Sequence, residues 1–289
     1  MFANGERIGF TIRYFANKLS DMTPTHIKWL HKTDEVIKTA DDAVVEIWEL
    51  NHEEDVDVLS AWAKHFRQHY CLDEELADLV SGTGKSNAEF LTEIKFPSAK
   101  VGSGPATRSG DFGEILVADY IEFILGYWCP REHRYENRIN ANVSDNGTDV
   151  VGFRFVAEKP NPKDELFVVE SKSGLRPTKE NRLQRAVNDS AKDRLREAMT
   201  LSALKKRLLR KNRESALRVE RFQNEADRPF TRWSGAVAVL DVETAATMEL
   251  DKTDVSDHPN KENLKLVVIK GISMMDLVHA LYERAANEA

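Results

Sequence analysis

Cysteine is nearly absent from this chain of 289 residues: only Cys71 and Cys129 occur, with no CxxC and no Cys/His cluster. That argues against a disulfide framework or a structural zinc, and makes a reducing cytoplasm the expected compartment. No apolar run is long enough for a membrane span. The first seven residues lack the basic-then-apolar layout of a signal peptide. Internal repeats and low-complexity tracts are missing too. What is present is ordinary for a globular protein, with 41% apolar and 31% charged residues, enough for one large domain or two smaller ones.

The net charge of −7 is unevenly spread. Residues 176–232 carry 17 basic and 8 acidic side chains, a net of +9, while 1–105, 106–175 and 233–289 are each net acidic, at −7, −4 and −5. A basic block in an acidic protein is either a polyanion footprint or one solvated helix face. The flanking acidic regions repel DNA, and the block can equally rest against the chain's own acidic N-terminal region.

Three familiar motifs fail on inspection. Ser81-Gly82-Thr83-Gly84-Lys85-Ser86 contains GKS, but a P-loop needs glycine where Leu79 stands, and a helix rather than a strand precedes it. His65 and His69 sit at i and i+4, but Phe66 occupies the place of a zinc protease's glutamate. No GxSxG marks a nucleophile elbow.

Periodicity places a strand over 8–15, with Ile8, Phe10, Ile12 and Tyr14 on one side, and a second strand over 43–50. Thr23-Pro24 reads as a helix start. Helical spacing runs through Val56, Leu59, Ala63, Phe66 and Tyr70, and a shorter helix ends near Gly82. Residues 81–109, with scattered Gly, Ser and Pro, read as a linker or long loop. After it come a helix over 111–127, strands over 147–156 and 166–173 joined by a Pro-rich turn, and two basic helices within 178–226. Strands over 235–242 and 264–270 follow, then a last helix from Ser273 with Asp276 at capping-box spacing. The expected class is α/β (α+β), a central mixed sheet flanked by helices. An N-terminal α/β region of unknown role is expected over 1–104 and a second domain over 105–289.

Chemistry concentrates in the second part. Glu170 and Lys172 end the apolar run Leu166–Val169, and alternation points both to one face. Placing both charges there is costly unless they are compensated, by a metal and water site or by a cross-strand ion pair. Asp149 begins the neighbouring strand, and antiparallel pairing would set it near Glu170. Two carboxylates that close repel, and a divalent cation relieves this. Alone, Gly147-Thr148-Asp149 is also explained as turn chemistry. Asp111 and Glu114 have capping-box spacing, a structural explanation for Glu114, while Gly110 and Gly113 would let that helix approach the sheet or a ligand closely.

Glu on a helix, Asp on a strand and Glu-x-Lys on the next strand is the order of the PD-(D/E)XK nucleases. Ser109-Gly110-Asp111-Phe112-Gly113-Glu114, Gly147 to Gly152 and Val169-Glu170-Ser171-Lys172-Ser173 together resemble the HamA family, effectors of the bacterial Hachiman anti-phage system. The segment 264–285 is similar to that family's ending. The resemblance covers roughly 105–289. It implies a restriction-endonuclease-like core and a DNA nuclease working with HamB, a superfamily-two helicase. It assigns Asp149 and Glu170 as metal-binding acids, Lys172 as the catalytic lysine and Glu114 as the helix-borne acid completing the site. The expected cofactor is Mg²⁺, one or two ions held also by a backbone carbonyl near Ser171, with Mn²⁺ substituting. The rival expectation is a non-catalytic DNA-binding or scaffold subunit with the same fold.

Overall fold

A computed structural model describes residues 23–131, 134–136, 138–144, 147–192 and 194–289. The strand expected over 8–15 lies outside them. The sheet is built from the largely polar and exposed β1 (Leu30–Lys38) and from the more apolar β2 (Val44–Leu50), β3 (Val150–Arg154), β4 (Glu165–Gly174), β5 (Thr231–Asp241) and β6 (Leu264–Gly271). Their spatial order is β1-β2-β6-β5-β4-β3. β2, β6, β5 and β4 are mutually parallel, and β1 and β3 pair antiparallel at the two edges.

Both faces of the sheet are covered, which is why its central strands are apolar at nearly every position. On one face pack α1 (Val56–Arg67), α4 (Gly104–Asp119) and α9 (Met274–Asn287). α2 (Asp73–Val80) packs against the short α3 (Asn87–Phe90), which packs against α9. Val237, Val239, Val169 and Phe167 face this side, in one cluster with Trp62, Phe66, Phe112 and Tyr282. On the other face Ala236, Ala238 and Leu240 meet Leu183, Ala186 and Val187 of α5 (Arg182–Ser190). Further along that face Leu166 and Val168 meet α6 (Arg194–Leu209) and α7 (Arg213–Glu220) through Leu201, Leu204 and Val219. A one-turn helix, α8 (Val242–Thr247), follows β5. The boundary expected at 104/105 falls where α4 begins. β1 and β2, which precede it, continue the later strands' sheet, and Trp48 and Trp62 share their core.

Four expectations are corrected. Residues 81–109 are not an unstructured linker. Ser86 and Glu89 form a capping box that starts α3, a π-helical turn (Leu91–Lys95) continues it, and α4 already begins at Gly104. The Gly/Ser/Pro composition misleads because Thr107 and Arg108 are buried, and tertiary packing overrides propensity. Asp111 and Glu114 therefore lie inside α4, and no capping box forms there. The basic segment holds three helices rather than two. Ser273 has a left-handed backbone and makes no side-chain cap; Asp241 Oδ2 accepts from Met274 N at 3.0 Å instead.

Gly113 sets how closely α4 approaches β4. A Cβ there would collide with Ser173 Oγ and stand 3.5 Å from Ser171 Oγ, whereas one at Gly110 would meet open space. Gly113→Ala is therefore expected to cost about 1–3 kcal/mol of overpacking, despite alanine's better helix propensity. Adding Ser173→Ala should recover part of the loss, because the hydroxyl is the obstacle. Urea denaturation of the two single variants and the double variant reads this out. An additive double variant would refute the contact.

Candidate active site

Asp149 directly precedes β3, and the register pairs Val150 with Val169, so Asp149 stands across from Glu170. On β4 the odd-numbered Ser171 and Ser173 face Gly113 of α4, so Glu170 and Lys172 point to the opposite face, toward α5 and α6. Ser171 N donates to Asp149 Oδ2 at 2.8 Å and fixes that carboxylate. The Lys172 ammonium is gathered by three acids: Asp189 Oδ2 at 3.0 Å, Glu170 Oε2 at 3.4 Å and Asp149 Oδ2 at 3.6 Å. Arg196 Nη1 stands 3.7 Å from Glu170 Oε1, and its other nitrogen donates to the Gly147 carbonyl.

Burial governs the electrostatics. Glu170 is 2% exposed, and desolvation followed by repulsion from Asp149 pushes its carboxyl up to about 8. Burial alone would lower the Lys172 ammonium, but Asp149, Glu170 and Asp189 outweigh it and hold it above its ordinary value. Burial would raise Asp189, yet hydrogen bonds from Lys192 and Lys172 keep it below the usual carboxylate range. Lys192 Nζ lies 2.6 Å from Asp189 Oδ1.

Glu114 arrives from the helix on the other face. Its carboxylate is held by Arg134 (Nε at 2.9 Å, Nη2 at 2.7 Å) and accepts from Tyr135 Oη at 2.9 Å. Burial pushes it up to about 7, against the pull of Arg134 and with added repulsion from Asp149 and Asp111. These contacts belong to a ladder along α4 and the turn after it. Arg138 binds Asp111 bidentately at 2.7 and 3.0 Å, Arg134 binds Glu114, and Arg131 binds Asp119 at 2.5 Å and Glu122 at 2.9 Å. The residues that miss a zinc-protease pattern complete its far end. His65 Nε2 and His26 Nε2 each lie 2.9 Å from Asp119, and His69 is buried beside them.

The structure thus brings Asp149, Glu170 and Lys172 together and ties Glu114 to Arg134 and Tyr135. Among the described residues, no group of three or more His, Cys, Asp or Glu side chains is arranged to hold a metal ion. Two desolvated carboxylates still suit Mg²⁺, which commonly binds one or two carboxylates and keeps waters or substrate phosphates as its remaining ligands. A cavity of about 550 Å³ lies beside Asp149, lined also by Glu114 and by Arg196, Met199 and Ala203 of α6, while Glu170 and Lys172 do not line it.

A model of the HamA family matches residues 24–285. The chain belongs to the HamA family. That membership points to a role in the Hachiman anti-phage defence system and takes in the segment from residue 24, which the sequence motifs left unmatched. No curated protein matches the chain. Among the described residues no helix is long and apolar enough to cross a membrane.

Asp189, Arg196, Arg134 and Tyr135 escaped the motif search because their partners come from other elements. One signal was available. Arg131, Arg134 and Arg138 recur at spacings of three and four, and Asp111, Glu114, Asp119 and Glu122 at spacings of three, five and three; in the fold the two series pair antiparallel. The basic segment is also less bare than its charge implies. Lys205 pairs with Glu220 at 2.7 Å, Arg232 with Glu197 at 2.6 Å, and Lys211 reaches Glu75 on the acidic α2 at 3.2 Å.

Proposed function

We propose that this HamA-family chain is a metal-dependent deoxyribonuclease of the PD-(D/E)XK type, the effector of its defence system, working with a HamB-like superfamily-two helicase. The observation that carries this reading is the convergence of Asp149 and Glu170, from adjacent strands, on the Lys172 ammonium. A helix-to-strand order of Glu114, Asp149, Glu170 and Lys172 supports it.

A Mg²⁺ ion held by Asp149 and Glu170 would polarise the scissile phosphate and lower the pKa of the attacking water. The chain's own groups do the rest. Ser171 N keeps Asp149 aimed at the strand end beside Glu170. Lys172 places a fixed positive charge where negative charge builds on the phosphate, and Asp189 holds that charge in position. Arg196 adds a second cation beside Glu170. Cleavage of plasmid DNA with Mg²⁺ and with EDTA tests the proposal.

One observation favours the second reading, a non-catalytic DNA-binding or scaffold subunit: Glu114 is fully engaged by Arg134 and Tyr135. DNA binding with no Mg²⁺-dependent cleavage, alone or with the helicase, would establish it.

The metal can be tested without turnover. Mg²⁺ or Mn²⁺ is expected to raise the melting temperature, because a ligand that binds only the folded state stabilises it by mass action, by about 2.7 kcal/mol at a hundred times its Kd. Asp149→Asn should shrink that shift. An equal shift in the variant would place the ion elsewhere.

A further inference from the structure

We infer that the cavity beside Asp149 is a groove for one unpaired DNA strand, and that an intact duplex is excluded from it. The inference rests on the nuclease reading for its chemistry, but on the shape and lining of the groove for its substrate.

The groove is closed at two places by ties from α6 to the connection between α4 and β3. Thr148 N donates to Thr200 Oγ1 at 3.1 Å at one end, and Arg207 donates to the Pro130 carbonyl at 3.2 Å at the other. Seven residues of helix separate those ties, a span of about 10 Å. The cavity between them holds about 550 Å³, and pockets of roughly 300–1,000 Å³ enclose a small-molecule ligand rather than a helix. A B-form duplex, whose major groove alone is about 12 Å wide, does not fit. The Asp149 side chain, which lines the groove, is 14% exposed, and Glu170, which does not line it, is 2% exposed behind Asp149. A phosphate on the outside of a rigid duplex does not reach them, whereas a flexible single strand can thread inward.

The lining matches such a strand. Five cations line the groove, two of which, Arg131 and Arg134, are already paired with the acids of the ladder along α4. Three of the cations, Lys192, Arg196 and Arg207, lie on or just before α6, in line to track a backbone of phosphates. Between them α6 presents Met199 and Ala203. Met199 is 65% exposed, and its flexible thioether offers a surface for base faces without reading their identity.

Ala203 and Ser202 are neighbouring exposed residues on α6, and only Ala203 lines the groove. Ala203→Glu and Ser202→Glu add the same charge to different faces of one helix. Binding of a labelled single-stranded DNA and of the same sequence as a duplex is measured by fluorescence anisotropy in EDTA, with the full-length wild type and both variants. The wild type should prefer the single strand by at least about tenfold, equivalent to about 1.4 kcal/mol. Ala203→Glu should weaken single-strand binding by about tenfold and Ser202→Glu by less than about twofold. Equal affinity for duplex, or equal effects of the two variants, overturns the inference. Cleavage with Mg²⁺ is read separately. Single-strand preference without cleavage removes the nuclease reading and keeps the groove. Cleavage of intact duplex as fast as unpaired DNA keeps the nuclease and removes the groove.

Discussion

Glu170→Ala combined with Lys172→Ala is expected to abolish Mg²⁺-dependent cleavage, by at least about a thousandfold, and to leave the protein folded. Neither side chain belongs to an apolar cluster of the core. Their local environment opposes the ionised form of Glu170, whose carboxyl stands at about 8 against an ordinary 4.5. The sign of the linkage follows. Below pH 4.5 the carboxyl is neutral in both the folded and the unfolded chain. As pH rises, the unfolded chain ionises first, so the stability conferred by the neutral group is lost progressively and is gone once pH has passed through about 8. In EDTA, Glu170→Gln should therefore melt higher than the wild type, by a margin that widens between pH 5 and pH 9. Each pKa unit corresponds to about 1.4 kcal/mol, so the margin is on the order of a few kcal/mol. Adding Mg²⁺ should narrow the gap, because only the wild type keeps both acids to bind it. Retained cleavage by the double variant would remove the proposed active site. A collapse of its melting transition would instead assign the pair a purely structural role. A cost in stability that the bound state relieves is what a functional site in a marginally stable protein commonly carries.

Sequence reading recovered the hairpin that makes the site because its signals are local. The apolar run Leu166–Val169, the Pro160-Asn161-Pro162 turn and the opposing Val150-Val151 fix strand identity and register, and register alone places Asp149 across from Glu170. The sheet order was not legible. β6 lies between β2 and β5, so the chain's last strand pairs with its second, a neighbourhood that no short-range pattern encodes. The start of α4 was missed for a related reason. Gly104 and Pro105 read as loop, yet Gly104 is required because a Cβ there would strike Ser98 and Asn142, contacts visible only after folding. Glu114 was singled out in the sequence, but its partners were not. Arg134 and Tyr135 lie 20 and 21 residues away, where the described residues form a turn.

The largest loss of stability is expected at the far end of that ladder, from Asp119→Ala. Asp119 is fully buried and compensates three neighbours at once: Arg131 at 2.5 Å, His26 at 2.9 Å and His65 at 2.9 Å. Burial alone would raise its carboxyl, but Arg131 and His65 hold it well below the usual range. Without it the buried Arg131 guanidinium keeps Glu122 as its one acidic partner in the ladder, and removing one member of a buried ion pair typically costs about 3–5 kcal/mol. The histidines set the pH dependence. Burial pushes His26 and His69 down, so both stay neutral in the fold, and the unfolded chain takes up protons first as pH falls below 6.5. The two histidines therefore subtract stability on acidification below about pH 6.5, opposite in sign to the contribution of Glu170, so the effect is read as the difference between variant and wild type. Relative to the wild type, Asp119→Ala should lose stability as the pH falls, since Asp119 raises His26 against its burial and that help is lost. The damage should also reach the candidate site. Arg131 anchors the start of the segment that carries Arg134 and Tyr135 to Glu114, with a further bond from its guanidinium to the Ile115 carbonyl at 3.2 Å. Urea denaturation at pH 7.5 and pH 5.5 measures both effects, and hydrogen exchange over 131–138 reads the loosening. A loss below about 1 kcal/mol, within the range of an exposed ion pair, would show that Glu122 suffices for Arg131 and that the ladder does not depend on its buried end.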